Sequence, residues 1–383
     1  MTFSAAKWLL LFQTFCVCIP CVYMVRMAGQ RFGWIDHPSE RKLHNRPVVT
    51  LGGLGVFAGL VISFLLFRVW VDAGSEESIL GYREHAHLWL LFGCSLILVV
   101  VGAWDDLKDL NPFAKLAAQF LAAGLFVGLH VTSGKSWAFQ DPTVPISVYL
   151  TNLLVFTCWI VLLVNAINLV DGLDGLAAGM VGIAAFWLML ANAPMENHFL
   201  TWVGAMLVGA CAAFLLFNFH PASLFLGDTG ALLLGLWVGA GSIEGDFKTI
   251  SALILATPIV LLGIPLLEVG SSALRRAVGG KRVFTPDSRH MHHRLLKLGF
   301  RHRNIVLFYY GITVLLGMIG FLLAPEKIDA EGVPLNPRIA APGAMYLLLC
   351  AIGGAVLLAY VALASIERKL DETTQQAASD SGE

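Results

Sequence analysis

Charge is scarce in this chain. Only 13% of its 383 residues are Asp, Glu, Lys or Arg, 57% are apolar, and mean hydropathy is +0.75. That balance excludes an ordinary water-soluble domain. Internal repeats and low-complexity linkers are missing as well, and no polar stretch is long enough for a separate soluble domain. The sizeable ones are 29–50, 73–86, 273–304, 325–341 and a Gln/Ser/Asp/Glu-rich end at 371–383. A disulfide framework is excluded too. All seven cysteines (16, 18, 21, 94, 158, 211 and 350) fall inside apolar runs, where they read as small buried hydrophobes, the Cys16-x-Cys18-x-x-Cys21 group included.

Apolar segments near the length of a membrane crossing recur from end to end, at 8–28, 51–72, 87–104, 114–131, 148–168, 176–193, 199–218, 230–245, 250–272, 305–324 and 342–365. The expectation is an all-α integral membrane protein of about eleven transmembrane helices, or ten if the short 230–245 segment does not cross. The first run, led by Lys7, is too long for a signal peptide and no clean small-x-small cleavage site follows it, so it reads as a retained anchor. Eighteen of the 25 basic residues fall in one alternate set of loops, the densest between Arg275 and Arg303. Cytoplasmic loops carry that excess, which predicts the N-terminus outside and the C-terminus in the cytoplasm. Residues 1–366 are expected to form one polytopic domain, and 367–383 a polar, disordered cytoplasmic tail.

Four polar clusters interrupt the apolar background, and this topology puts all of them on the cytoplasmic face. Carboxylates near hydrocarbon are costly and are retained for function. Asp105-Asp106 ends the third span. Two adjacent acids repel, so they favour a bound cation or a raised pKa suited to a general base, unless they are a solvated helix end. Asn165, Asn168, Asp171 and Asp174 recur every third residue, which predicts one slowly drifting stripe of a helix or of its tightened last turn, and a helix cap would need only one of them. Asn218-Phe219-His220-Pro221 leads to Phe225-Leu226-Gly227-Asp228, where Asp228 either caps the next helix or ligates Mg²⁺, a hard cation that shares its oxygen shell with substrate phosphates. Last comes His290-x-His292-His293-Arg294. No cysteine lies near it for a closed zinc site, and histidines among arginines suit the grip of a diphosphate.

Together with Arg41-Lys42-Leu43-His44, Leu51-Gly52-Gly53 and Lys115, these motifs resemble the polyprenyl-phosphate N-acetylhexosamine-1-phosphate transferases over about residues 30–305. The form Pro286-Asp287-x-x-His290-x-His292-His293-Arg294-Leu295 is similar to the branch that starts O-antigen, enterobacterial common antigen, teichoic acid or other glycans. Met291 interrupts the three consecutive histidines of the peptidoglycan branch, which moves phospho-N-acetylmuramoyl-pentapeptide. Glu268 departs from the glycan-initiating pattern, which usually has Asp there.

The resemblance implies transfer of N-acetylhexosamine-1-phosphate from a UDP-sugar, GlcNAc above all, to polyprenyl phosphate with release of UMP. It implies Mg²⁺ as cofactor, with Mn²⁺ as a substitute, and Asp228 as its ligand. Asp105 or Asp106 would act on the lipid phosphate. Asn165, Asn168, Asp171 and Asp174 would line the nucleotide pocket with Phe225 stacked on uracil, and Arg276, His290, His292 and His293 would hold the sugar-side phosphate. Lys42, His44, Lys115, Asn218 and Arg294 complete the expected substrate-binding set. The implied setting is the bacterial inner membrane, with lipid as surroundings, a homodimer allowed and no nucleic-acid partner. The rival from another class is a transporter or flippase, which would place its ionisable groups near the midplane on broken helices.

Overall fold

The computed structural model describes residues 3–38, 46–72, 82–130, 145–193, 197–243, 295–296 and 298–323. Nine α-helices run through them: α1 Phe3–Phe32, α2 Gly52–Asp72, α3 Tyr82–Lys108, α4 Pro112–His130, α5 Ile146–Val170, α6 Leu176–Asn192, α7 His198–Asn218, α8 Gly227–Ser242 and α9 His302–Leu323. Each coincides with an expected apolar segment, and seven are long and apolar enough to cross a bilayer. The shorter two are α6 and α8. Expected segments 250–272 and 342–365, and the tail, lie outside the described residues.

Short α8 is the hub. From Thr229 to Ser242 every residue is buried, because α2, α3, α5 and α7 close around it. A helix in such a position has no polar face, and its Gly/Ala/Leu composition supplies none. Sixteen residues span only about 24 Å, less than the hydrocarbon thickness of about 30 Å, so the bundle extends past at least one of its ends.

Small residues set the spacing around this hub. A Cβ on Gly53 would meet the backbone of Thr229 and Gly230, so α2 and α8 cross backbone against backbone. Polar pins add register where apolar packing alone is non-directional. Trp237 Nε1 donates to Ser95 Oγ (2.9 Å) between α8 and α3, and Trp159 Nε1 donates to Ser242 Oγ (2.8 Å) between α5 and α8. The Thr14 and Ser63 hydroxyls meet at 2.6 Å between α1 and α2. A second, smaller core joins α6 to α9, where Tyr310 Oη donates to Gly175 O at 2.5 Å and Trp187 packs on Phe321.

A small strap ties the end of α1 to the start of α8. Strand β1, Ile35–Asp36, pairs antiparallel with β2, Val48–Val49, and Val49 bridges to Leu224. The Phe225 amide donates to Val49 O (2.8 Å), while the Gly52 and Gly53 amides donate to Phe225 O (2.9 Å) and Leu226 O (3.0 Å). Residues 224–226 are therefore fixed from both sides immediately before Asp228.

Candidate active site

Three of the four polar clusters converge on one cavity of about 880 Å³ at the ends of α3, α5, α7 and α8. Asp105, Asp106, Asn168, Asp171, Asp174, Asn218, Phe225 and Asp228 all line it, as do Asp36 and Arg46 of the strap segment, His220, and His302 from the first turn of α9. Lys42, His44, Arg276, His290, His292, His293, Arg294 and Glu268 lie outside the described residues.

The adjacent acids divide their work. Asp106 caps α8 from a different helix: its Oδ1 accepts the Asp228 amide (2.8 Å), and its Oδ2 accepts the Thr229 amide (3.1 Å) and Thr229 hydroxyl (2.6 Å). Asp228, at the second position of α8, is thereby released from capping and points its carboxylate elsewhere. Gly227 permits the close approach, because its φ is +71° and a Cβ there would collide with the Asp106 carboxylate. Asp105 instead closes the α3–α4 turn by accepting the Leu110 amide (2.6 Å), and it pairs with Lys115 at 3.0 Å.

Lys115 also bonds Asp228, so one ammonium bridges Asp105 and Asp228. The other Asp228 oxygen accepts the Asn168 side-chain amide at 2.5 Å. Side chains from two helices, α4 and α5, thus hold this one carboxylate, and a positive charge already sits between it and Asp105.

The every-third-residue stripe is split by depth. Asn168, Asp171 and Asp174 reach the cavity as α5 ends at Val170 and turns through 171–175. Asn165 lies one turn back and does not line the cavity. Its amide pairs with Gln119 of α4 (2.6 Å) and with Val161 O (2.8 Å), which ties α4 to α5. Asn218 lines the cavity, but its amide is committed to backbone, accepting the Gly175 amide and donating to Leu224 O, both at 2.9 Å. The Asp171 amide closes α5 on Ile167 O (3.1 Å), while its carboxylate has no hydrogen-bond partner among the described residues. Burial first, then the charges of Asp106 and Asp174, push its pKa well above the usual carboxylate range.

Sequence reasoning did not select His220, His302, Asp36 or Arg46. His220 stood inside a recognised cluster, and Arg46 lay two residues beyond His44. His302 had no such signal: it opens an apolar helix, and only the docking of α9 on α6 brings it to Asp174, 128 positions away.

The class that this fold and cavity define is a multi-helix integral-membrane protein with a polar, carboxylate-lined cavity between its helix ends. Residues 88–246 match the glycosyl transferase family 4 profile. The chain is 30% identical to a probable undecaprenyl-phosphate N-acetylglucosaminyl 1-phosphate transferase of Bacillus subtilis over 309 residues, 80% of this chain and 79% of the relative. A decaprenyl-phosphate N-acetylglucosaminephosphotransferase of Mycobacterium tuberculosis is 30% identical over 341 residues, 83% and 80% of the two chains. An undecaprenyl-phosphate alpha-N-acetylglucosaminyl 1-phosphate transferase of Escherichia coli K12 is 28% identical over 326 residues, 82% and 83%. The chain belongs to glycosyl transferase family 4, in the branch of these polyprenyl-phosphate N-acetylglucosaminyl-1-phosphate transferases.

Proposed function

We propose that this protein transfers GlcNAc-1-phosphate from UDP-GlcNAc to polyprenyl phosphate at the cytoplasmic face of a bacterial inner membrane, releasing UMP and starting a lipid-linked envelope glycan. The observation that carries the reading is the Asp228 carboxylate, held by Asn168 and Lys115 at the mouth of the buried helix α8. Similarity to the named relatives over four-fifths of the chain supports the substrates.

The reaction exchanges one phosphoanhydride for another. An oxygen of the lipid phosphate attacks the β-phosphorus, and the bond to the UMP oxygen breaks. Positioning and charge neutralisation therefore dominate the demand on the protein. Asp105 is the member of the acid pair offered to the lipid phosphate, because moving Asp106 would uncap α8. Asp106 also occupies the first two α8 amides that face it, so the diphosphate is held by side chains. Lys115 supplies positive charge at that point, and the arginines and histidines of 276–294 supply the rest.

The residues fit Mg²⁺: hard carboxylate oxygens of Asp105 and Asp228 already enclose a cation, the Lys115 ammonium. Asp228 would hold the metal, which when bound neutralises charge on the diphosphate. Asp171 and Asp174, with Phe225, are left for the nucleoside.

Donor choice tests the branch. Purified protein offered UDP-GlcNAc or UDP-N-acetylmuramoyl-pentapeptide, each with undecaprenyl phosphate, should release UMP from the first. Release from the pentapeptide donor alone would move the protein to the peptidoglycan branch.

A further inference from the structure

The turn between α5 and α6 carries Asp171 and Asp174 into the cavity, and its last residue is gripped from two sides. Gly175, at φ +80°, donates its amide to Asn218 Oδ1 (2.9 Å), and its carbonyl oxygen accepts the Tyr310 hydroxyl of α9 (2.5 Å). The same oxygen accepts the Gly179 amide (3.0 Å), so the first turn of α6 closes without the phenol. The Tyr310 ring packs against the apolar cluster that includes Leu173, Leu176 and Met180. A phenylalanine would fill that space as well, and only the hydroxyl reaches the turn. Room for the phenol is made by Gly179, where a Cβ would collide with it. Tyr310 does not itself line the cavity, whereas residues 171–174 do.

We propose that Tyr310 is a positioning residue for nucleotide binding: its hydroxyl fixes the Gly175 carbonyl and thereby the path of the 171–174 backbone, without touching the ligand. This rests on the assignment of Asp171 and Asp174 to the nucleoside made above. The turn has little else to hold its shape. Its first residue is tied to α5 by the Asp171 amide on Ile167 O (3.1 Å), and its inner bonds are Gly172 N to Val170 O (2.7 Å) and Leu176 N to Leu173 O (3.0 Å). Glycines at 172 and 175 leave the backbone free to rotate on both sides of Asp174 once an outer contact is lost. A displaced turn weakens ligand binding, because small errors in placement are costly at a preorganised site. The reacting end is held separately. Asp228 is fixed by Lys115 and Asn168, and Asp105 by Lys115 and the Leu110 amide, none of which depends on Gly175. Loss of the hydroxyl should therefore appear in binding of the nucleotide and not in the chemical step.

The test is calorimetric titration of UMP into the full-length protein in detergent with Mg²⁺ present, followed by steady-state kinetics. Tyr310→Phe should weaken UMP binding about fivefold or more, and Gly179→Ala, which displaces the phenol, should do the same. Thr14→Val is the control for a merely structural loss. It removes a buried hydroxyl pair with Ser63 between α1 and α2, and should lower Tm while leaving UMP affinity at the wild-type value. In kinetics Tyr310→Phe should raise KM for UDP-GlcNAc by the same factor as the binding loss, with kcat and KM for undecaprenyl phosphate changed less than about twofold. Wild-type UMP affinity in Tyr310→Phe, an equal affinity loss in Thr14→Val, or no UMP binding by the wild type would overturn the proposal. A wild type that binds UMP but releases none from UDP-GlcNAc fails the transferase reading instead, and leaves the binding comparison decisive.

Discussion

Asn165 and Asn168 are one helical turn apart and chemically identical, yet the structure gives them different work. Asn168 donates to Asp228 in the cavity, whereas Asn165 joins α5 to α4 through Gln119. Asn168→Ala should lower kcat/KM by about tenfold or more, as removal of a bond to a site carboxylate does, with little change in Tm. Asn165→Ala should do the reverse, because it leaves the Gln119 amide unpaired in an apolar interior. Steady-state kinetics and Tm on both variants check the pair, and equal kinetic loss in the two would contradict the assignment. Asp171 makes a second prediction at this scale. Its folded pKa is raised, so above the unfolded value of about 3.9 the unfolded chain binds fewer protons than the native one, and stability falls as pH rises toward the raised pKa. Asp171→Asn should therefore be more stable than the wild type at pH 8, with the difference shrinking toward pH 5. A pH-independent difference in metal-free Tm would count against a raised pKa at this half-buried carboxylate.

Among elements, α8 and its cap carry the site. Asp106→Ala should remove three hydrogen bonds from the start of α8, a loss of roughly 1–3 kcal/mol, and should let Asp228 drift. Asp106→Asn keeps one acceptor oxygen and should recover part of the stability. Denaturation midpoints of the two variants, ranked with the wild type, measure this, and an Ala variant as stable as the wild type would remove the cap from the account. The helices themselves were legible in the sequence because long apolar runs announce them whatever they pack against. The cap was not, since its partners are 122 residues apart and a sequence shows only local capping signals. For Asp228 the sequence offered a cap or a ligand, with the neighbouring acids favouring the ligand, and it is Asp106 of α3 that supplies the cap. The two-residue strands of the strap have no periodicity to detect, so Leu51-Gly52-Gly53 could be recognised as a motif but not as the contact that fixes 224–226. The every-third-residue spacing grouped Asn168, Asp171 and Asp174, which all line the cavity. It could not show that Asn165 faces α4, because the cavity floor depends on where α8 ends.

At the scale of the whole molecule, the convergence of three clusters was the part of the site most fully written in the sequence, since each lay at the end of an apolar run. The proposed orientation rests on the uneven distribution of basic residues among the loops. In a background without native cysteines, Lys108→Cys, exposed at the cavity end of α3, should react with an impermeant thiol reagent only from the cytoplasmic side. Ile146→Cys, at the start of α5 and 72% exposed, should react only from outside. The opposite pattern would place the cavity away from cytosolic nucleotide sugars.

The central claim is phosphosugar transfer, and the identity of the released nucleotide tests it most directly. Purified protein given UDP-GlcNAc, undecaprenyl phosphate and Mg²⁺ should release UMP in step with a lipid-diphospho-GlcNAc product, and Asp228→Asn should release none while remaining folded. Release of UDP would mean that the bond to the sugar carbon breaks instead, and UMP formation by Asp228→Asn at the wild-type rate would remove the carboxylate at the centre of this account.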